Sequence, residues 1–264
     1  LREVLDLWWR GNIEPPRILD PACGSGTFLT NSIRILKEEL SKRGWNPSEI
    51  LNFMLTNIVG IDINPLAVTI ARANYLIALG ELLNVRKGAI LIPVYVADSI
   101  RLPNTIKTLV KLTSEQRTSL VNIMVYDYKI DDIHLQIPDN VAKDRSKLSK
   151  TITAFKEAIE SYRTRRNKAE AYKVFERVLR NVTGSAEFNV LKSTLDNILS
   201  LIDKRKDSIW VYMLSNIYIP IALSESKFDI IVGNPPWVIM RYIENKEYQD
   251  FVKKQFLSYE LLSS

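Results

Sequence analysis

Apolar and polar positions follow two rhythms along this chain. Short aliphatic and β-branched runs, each closed by a polar residue, predict buried strands at Ile18-Leu19-Asp20, Ile58-Val59-Gly60-Ile61-Asp62, Val94 to Asp98, and Phe228 to Val232 before Gly233-Asn234. Other stretches repeat near every 3.6 residues. Phe28, Leu29, Ile33, Leu36 and Leu40 predict a helix from Thr27 to about Arg43, stopped at Gly44. Pro65 opens a second helix to about Leu83. Val4, Leu5, Trp8 and Trp9 mark a short helix over 2–10, broken by Pro15-Pro16. Strands alternating with helices predict an α/β fold with a parallel sheet.

About 125 residues separate the third and fourth strands, and their pattern is mostly helical. Phe155, Ile159, Tyr162, Tyr172, Phe175 and Val178-Leu179 predict one helix from Thr153 to about Asn181. Val190–Leu201 reads as another, Glu247–Leu262 as a last one, and Asp127–Asp139 as polar and irregular. A stretch this long exceeds an ordinary loop. The predicted organisation is a first part over 1–100, a mainly helical insertion over 101–225, and a return to the first part over 226–264.

Charge sharpens that division. Lys and Arg number 36 against 30 Asp and Glu, and the excess of six lies wholly within 101–225, where 21 cationic residues face 15 acidic ones. Residues 143–180 alone carry 12 and 5. Such a cluster suits a polyanion and equally a solvated helical surface. One cysteine, Cys23, excludes an internal disulfide framework; with one histidine, His134, it argues against a zinc enzyme. Cys23 reads as a small turn residue and His134 as a lone loop histidine. No apolar run approaches the roughly 20 residues of a membrane span, and no signal peptide opens the chain, so a cytoplasmic protein without a membrane partner is expected. The first residue is Leu1, which predicts a piece of a longer protein.

The polar residues at the strand ends carry the chemistry, because ligands of open α/β sheets bind beyond the carboxyl ends of the strands. After the first strand comes Asp20-Pro21-Ala22-Cys23-Gly24-Ser25-Gly26-Thr27-Phe28-Leu29. Gly24 and Gly26 permit a tight turn, and the helix that follows offers its N-terminal amides to an anionic group. Asp62 and its neighbour Ile63 close the second strand, where a carboxylate can accept from ribose hydroxyls. Asp98-Ser99 closes the third, where it can accept from an exocyclic amine. Each aspartate alone also reads as a helix N-cap. Asn234-Pro235-Pro236-Trp237 closes the fourth. An amide oxygen and a proline-constrained carbonyl can together accept both hydrogens of an –NH2 group, with an aromatic ring to stack on its carrier; taken alone, the run is also a rigid turn.

Together these runs resemble the S-adenosylmethionine-dependent DNA adenine methyltransferases of restriction-modification and phage-defence systems. The resemblance covers about 1–100 and 226–245. It implies a Rossmann-like methyltransferase fold, here with an incomplete sheet of four of seven strands and with a mostly helical insertion that matches no named family. The remaining strands and the target-recognition region are expected outside this stretch. The resemblance further implies that Asp20, Pro21, Ala22, Gly24, Gly26, Thr27 and Phe28 hold the methionine part of S-adenosylmethionine. It puts Asp62 and Ile63 at the ribose, Asp98 and Ser99 at the adenine, and Asn234 at the cofactor's edge. Asn234, Pro235, Pro236 and Trp237 form the catalytic motif, with Trp237 where the family more often has Tyr or Phe. The implied partner is DNA with its target adenine flipped out, together with a specificity or nuclease region or subunit. RNA guanine and protein glutamine methyltransferases carry related motifs and stay open as alternatives, as does an inactive fragment that binds cofactor or nucleic acid.

Overall fold

The computed structural model describes residues 1–88, 90–99, 105–114, 117–130, 132–204, 210–235 and 245–259. The chain forms two compact units: Leu1–Ile92 with Asp98–Ile100 and Ile230–Ser264, and Pro93–Ala97 with Arg101–Asp229.

In the first unit β1 (Ile18–Asp20) is the central strand. β2 (Ile58–Asp62) runs parallel on one side, with Ile18 opposite Ile58 and Asp20 opposite Gly60. β7 (Ile230–Ile231) runs parallel on the other, with Ile18 opposite Ile230. The parallel α/β character read from the sequence is therefore present. α1 (Arg2–Gly11) precedes β1, and α2 (Thr27–Lys42) follows it, burying Leu29, Ile33, Leu36 and Leu40 as its periodicity predicts. α3 (Pro47–Asn57) was not anticipated, although its start is spelled in the sequence. Asn46 Oδ1 accepts from the amides of Ser48 and Glu49 at 3.0 Å each, and Glu49 reaches back to the Asn46 amide at 3.0 Å, with Pro47 in the first turn.

α4 (Pro65–Leu79) is capped by Asn64 and gives way at Gly80 (φ 54°) to a 3₁₀ turn, Gly80–Val85. Pro65–Val85 is long and apolar enough, by length and composition, to cross a membrane, which corrects the expectation that no run approaches that size. One face of α4 is buried, while Leu66, Ile70 and Ile77 of the same helix are exposed. Val68, Ala71, Tyr75, Ala78 and Leu79 are buried, and the Tyr75 hydroxyl donates to the carbonyls of Met54 (2.6 Å) and Ile58 (3.2 Å). α10 (Lys246–Ser258) stands where the last helix was predicted, its N-terminus capped by Asn245.

The second unit holds β3 (Val94–Val96) and an antiparallel meander of β4 (Thr105–Ser114), β5 (Arg117–Ile130) and β6 (Ile133–Pro138) in the order β4-β5-β6. This meander corrects the irregular segment expected over Asp127–Asp139. Leu135 and Ile137 are buried and alternate with His134 and Gln136, a two-residue period hidden among aspartates. His134 is likewise no lone loop residue: its Nδ1 lies 3.0 and 2.8 Å from the two carboxylate oxygens of Asp127.

Five helices follow: α5 (Asp139–Ala142), α6 (Arg145–Arg165), α7 (Lys168–Leu179), α8 (Ser185–Asp203) and α9 (Trp210–Ser224). The single helix predicted over Thr153–Asn181 is two. Arg166 takes φ 51° and ends α6, and Asn167 Oδ1 caps α7 by accepting from Ala169 and Glu170. α9 was not anticipated, because its buried face takes in nearly all of its residues from Leu214 on, leaving no amphipathic period to detect. Phe155, Phe175 and Phe188 stack across α6, α7 and α8, with ring centroids 4.9 and 6.0 Å apart. α8 is fixed to β6 by Thr194, whose hydroxyl both donates to the Gln136 carbonyl and accepts from its amide.

Candidate active site

β1 ends on Asp20, which is 1% exposed. The chain then reverses through Pro21–Gly26 into α2. Gly24 (φ 53°) and Gly26 (φ 85°) take left-handed conformations that a side chain would strain. The turn is tied down from within and from β2. The Gly26 amide donates to the Cys23 carbonyl (2.8 Å), and the Cys23 amide to the Ile61 carbonyl (2.9 Å). The Gly24 amide donates to Asp62 Oδ2 at 2.8 Å, while Asp62 Oδ1 accepts from the Asn64 amide at 2.8 Å. Asp62 thus locks the glycine turn to the end of β2 and helps shape the start of α4. Four lone-pair sites on the carboxylate leave acceptor capacity beyond these two bonds.

Four small or amide-bearing residues complete the cradle, and sequence reasoning assigned none of them. Gly60 lies under the turn: a Cβ there would stand 2.6 Å from Leu29 Cδ1 and 3.1 Å from Cys23 Sγ. Ala71 Cβ of α4 lies 3.1 Å from where a Cβ on Gly26 would be. One helical turn on, Asn74 Nδ2 donates to the Ser25 carbonyl at 2.9 Å. Gly233, after β7, would place a Cβ 3.2 Å from Asp20 Oδ1. An isolated glycine inside the Ile58–Asp62 run was the available signal for the first, since such residues mark close backbone approach. An asparagine within the apolar α4 was the signal for Asn74.

The two terminal signatures therefore meet. The amides of Ile230 and Val232 donate to the carbonyls of Arg17 (3.1 Å) and Leu19 (2.9 Å), which brings Gly233, and then Asn234 and Pro235, out beside Asp20. Asn234 and Pro235 are exposed. Pro236 and Trp237 lie outside the described residues. Asp98 is half-buried and Ser99 exposed, and both belong to the same unit as Asp20 and Asp62. Pro21, Ala22 and Phe28 are half-buried; Thr27 and Ile63 are exposed.

Electrostatics mark Asp20. Its Oδ1 accepts from the Ala22 amide (3.2 Å), while Oδ2 is buried without a hydrogen-bond partner. Burial pushes its carboxyl up from 3.8 to about 6; the Ala22 amide opposes this and the charge of Asp62 adds to it. Burial, then Asp20 and Asp62, raises the Cys23 thiol to about 12, so Cys23 stays protonated and inert, in keeping with a turn residue. α2 begins at Gly26 with no side-chain cap, so its first amides have no partner from a capping side chain. An unpartnered acceptor, uncapped amides, an acid on β2 and an amide-proline pair on β7 make a site for a ligand with both cationic and anionic groups.

The basic stretch looks different once folded. Lys143, Lys147, Arg165, Arg166, Lys168, Lys173 and Arg177, seven of its twelve cationic residues, lie within 4.0 Å of a carboxylate. Just over half of its cationic side chains therefore sit beside a carboxylate, two of those carboxylates being shared.

Comparison with known proteins finds matching family models and relatives. Residues 56–261 match the family model of the Eco57I restriction-modification methylases, and residues 7–93 that of the N-6 DNA methylases. A putative type II restriction enzyme and methyltransferase of Methanocaldococcus jannaschii is 27% identical over 293 aligned positions, which cover 90% of this chain and 23% of that protein. The adenine-specific methyltransferase BrxX of Escherichia coli is 40% identical over 63 positions, 23% of this chain and 5% of that protein. The chain spans less than a quarter of the length of either relative.

Proposed function

Because the chain belongs to the Eco57I restriction-modification methylase family, we propose that it is the cofactor-binding and catalytic part of an enzyme that moves a methyl group from S-adenosylmethionine to the exocyclic amine of adenine in DNA. The observation that carries this reading is the meeting of Asp20, with its orphaned Oδ2, and the Gly233-Asn234-Pro235 strand end. Three parallel strands with the glycine turn after the central one support a Rossmann-like methyltransferase fold.

The residues present suit the cofactor. Asp20 Oδ2 would accept from its ammonium group, and the uncapped amides of α2 would face its carboxylate. Asp62, through its remaining lone pairs, would accept from the ribose hydroxyls, with Ile63 beside it, and Asp98 and Ser99 would meet the adenine. S-adenosylmethionine supplies an electrophilic methyl group on a sulfonium. The protein's work is positional and electrostatic. Asn234 Oδ1 and the Pro235 carbonyl accept the two hydrogens of the target amine, which favours a pyramidal nitrogen with its lone pair turned to the methyl group. No side-chain base is required before attack, because the product ammonium proton becomes acidic as the bond forms. The target base must leave the duplex to reach Asn234, and Trp237 is the aromatic that the motif offers for stacking. A specificity or nuclease region elsewhere in the protein or in a partner would choose the sequence, and the reaction would run in the cytoplasm.

Asn234→Ala tests this. Labelled-methyl transfer to DNA should fall at least about 100-fold, as when a transition-state contact is removed, while S-adenosylmethionine binding, read by calorimetry, survives. Undiminished DNA methylation by the variant would remove Asn234 from the reaction. Labelling of ribosomal RNA or protein in preference to DNA by the wild type would transfer the chemistry to that acceptor.

A further inference from the structure

On α6 and α7 five of nine cationic residues lie beside a carboxylate, while one face of the meander carries two lysines with no ion pair among the described residues. Beyond Met124, towards the hairpin tip, β5 pairs only with β4, because β6 begins its pairing at Val125. This part is a two-stranded ribbon. One of its faces packs inward, with Val110, Leu112, Ile123 and Val125 around Val190 of α8. The other carries Lys107, Leu109 and Lys111 from β4 and Leu120, Asn122 and Met124 from β5, all exposed. Leu109 lies opposite Asn122, Lys107 opposite Met124 and Lys111 opposite Leu120. Leu109 and Leu120 are 59% and 63% exposed, which is unusual for leucines in a sheet.

Charge decides what such a face can meet. Over 105–126 the one aspartate or glutamate in the sequence is Glu115, which lies between the two strands. Lys107 and Lys111 make no ion pair among the described residues, and they flank the exposed leucine at a strand separation of about 13 Å. The Asn122 amide, between Leu120 and Met124, has no hydrogen-bond partner among the described residues. Protein-docking patches are depleted of lysine at their centre. A ribbon with two ammonium groups and an amide that have no partner among the described residues, and with apolar side chains, fits the major groove of a duplex, where lysines reach phosphates, an amide reaches base edges and apolar groups meet thymine methyls.

We propose that this face of the β4–β5 ribbon docks double-stranded DNA. The inference rests on the reading of DNA as the methyl acceptor and assigns the duplex contact to the insertion's meander rather than to its helices.

The experiment measures binding of a fluorescent DNA duplex to the full 264-residue chain across a salt series, by anisotropy. Lys107→Gln/Lys111→Gln should weaken binding about 10-fold and lower the slope of log affinity against log salt by about 2, one for each lost phosphate contact. Lys173→Gln/Arg177→Gln, on the paired helices, should leave the slope unchanged. Lys107→Arg/Lys111→Arg should keep wild-type binding, and matching thermal melts establish that the variants fold. An unchanged slope in the Lys107/Lys111 glutamine variant overturns the proposal. So does a wild-type chain that binds S-adenosylmethionine by calorimetry and no duplex at all, an outcome that leaves the methyltransferase reading standing. Sedimentation provides a third check: a dimer abolished by Leu109→Ser/Leu120→Ser, with DNA binding intact, would overturn the proposal in favour of a second copy as occupant.

Discussion

A carboxylate that cannot reach water makes Asp20 a reporter of its site. Its folded-state pKa is about 6, against 3.8 when exposed. Between those values the folded protein holds a proton that the unfolded chain has released, so stability falls as pH rises through this window and the deficit is complete above it. The span is worth about 3 kcal/mol. Comparing wild type with Asp20→Asn isolates it. The difference in unfolding free energy should move by about 2–3 kcal/mol in the variant's favour between pH 4 and pH 7.5. A difference that does not change with pH would show that Asp20 does not titrate there. Asn74 is the complementary case, a residue that holds the turn in place. Its amide holds the Ser25 carbonyl at 2.9 Å. Asn74→Asp keeps the shape and removes the donor, so S-adenosylmethionine affinity should fall about 10-fold, the scale of one hydrogen bond, with the melting temperature nearly unchanged. An equal loss in both measurements would make Asn74 a fold residue only.

Among the elements, those with a single buried stripe were legible. α2 buries the leucines and isoleucine that its spacing marks, and β1 and β2 end on the aspartates that mark them. What was lost has physical reasons. The β6 alternation was hidden because Asp127 and His134 satisfy one another across the sheet, so polar residues sit inside a strand. One helix became two because Arg166 takes a left-handed turn that neither proline nor glycine announces. In the site, Asp20, Asp62 and Asn234-Pro235 were readable as strand ends. The buttresses Ala71, Asn74 and Gly233 were not, since their role is to be close to something distant in sequence. Gly60 is the sharpest of these close approaches. With Leu29 2.6 Å from the missing Cβ, Gly60→Ala should destabilise by about 1–3 kcal/mol through overpacking, read by denaturant unfolding. A neutral effect would mean that Leu29 moves aside freely.

For the molecule, the division into two compact units bears on how such damage spreads. The first has its sheet packed with α2 and α4; the second has its phenylalanine stack and the Thr194–Gln136 lock. Gly60→Ala should therefore speed amide hydrogen exchange in β1, β2 and α2 and leave α6, α7 and α8 at wild-type rates. Uniform acceleration throughout would show that the two cores open as one.

The central position of β1 has a temporal consequence. Its partner β2 follows within 40 residues, but β7 starts 210 residues after Asp20. At about 5–20 residues per second, a ribosome needs roughly 10–40 s to cover that interval. The glycine turn can close on Asp62 early, while the edge of β1 that will receive Ile230 and Ile231 stays bare until the insertion has been made. The glycine turn of a nascent chain can thus be tied to Asp62 well before the strand that leads to Asn234 is made, and a chaperone guarding that bare edge would act in the interval between the two.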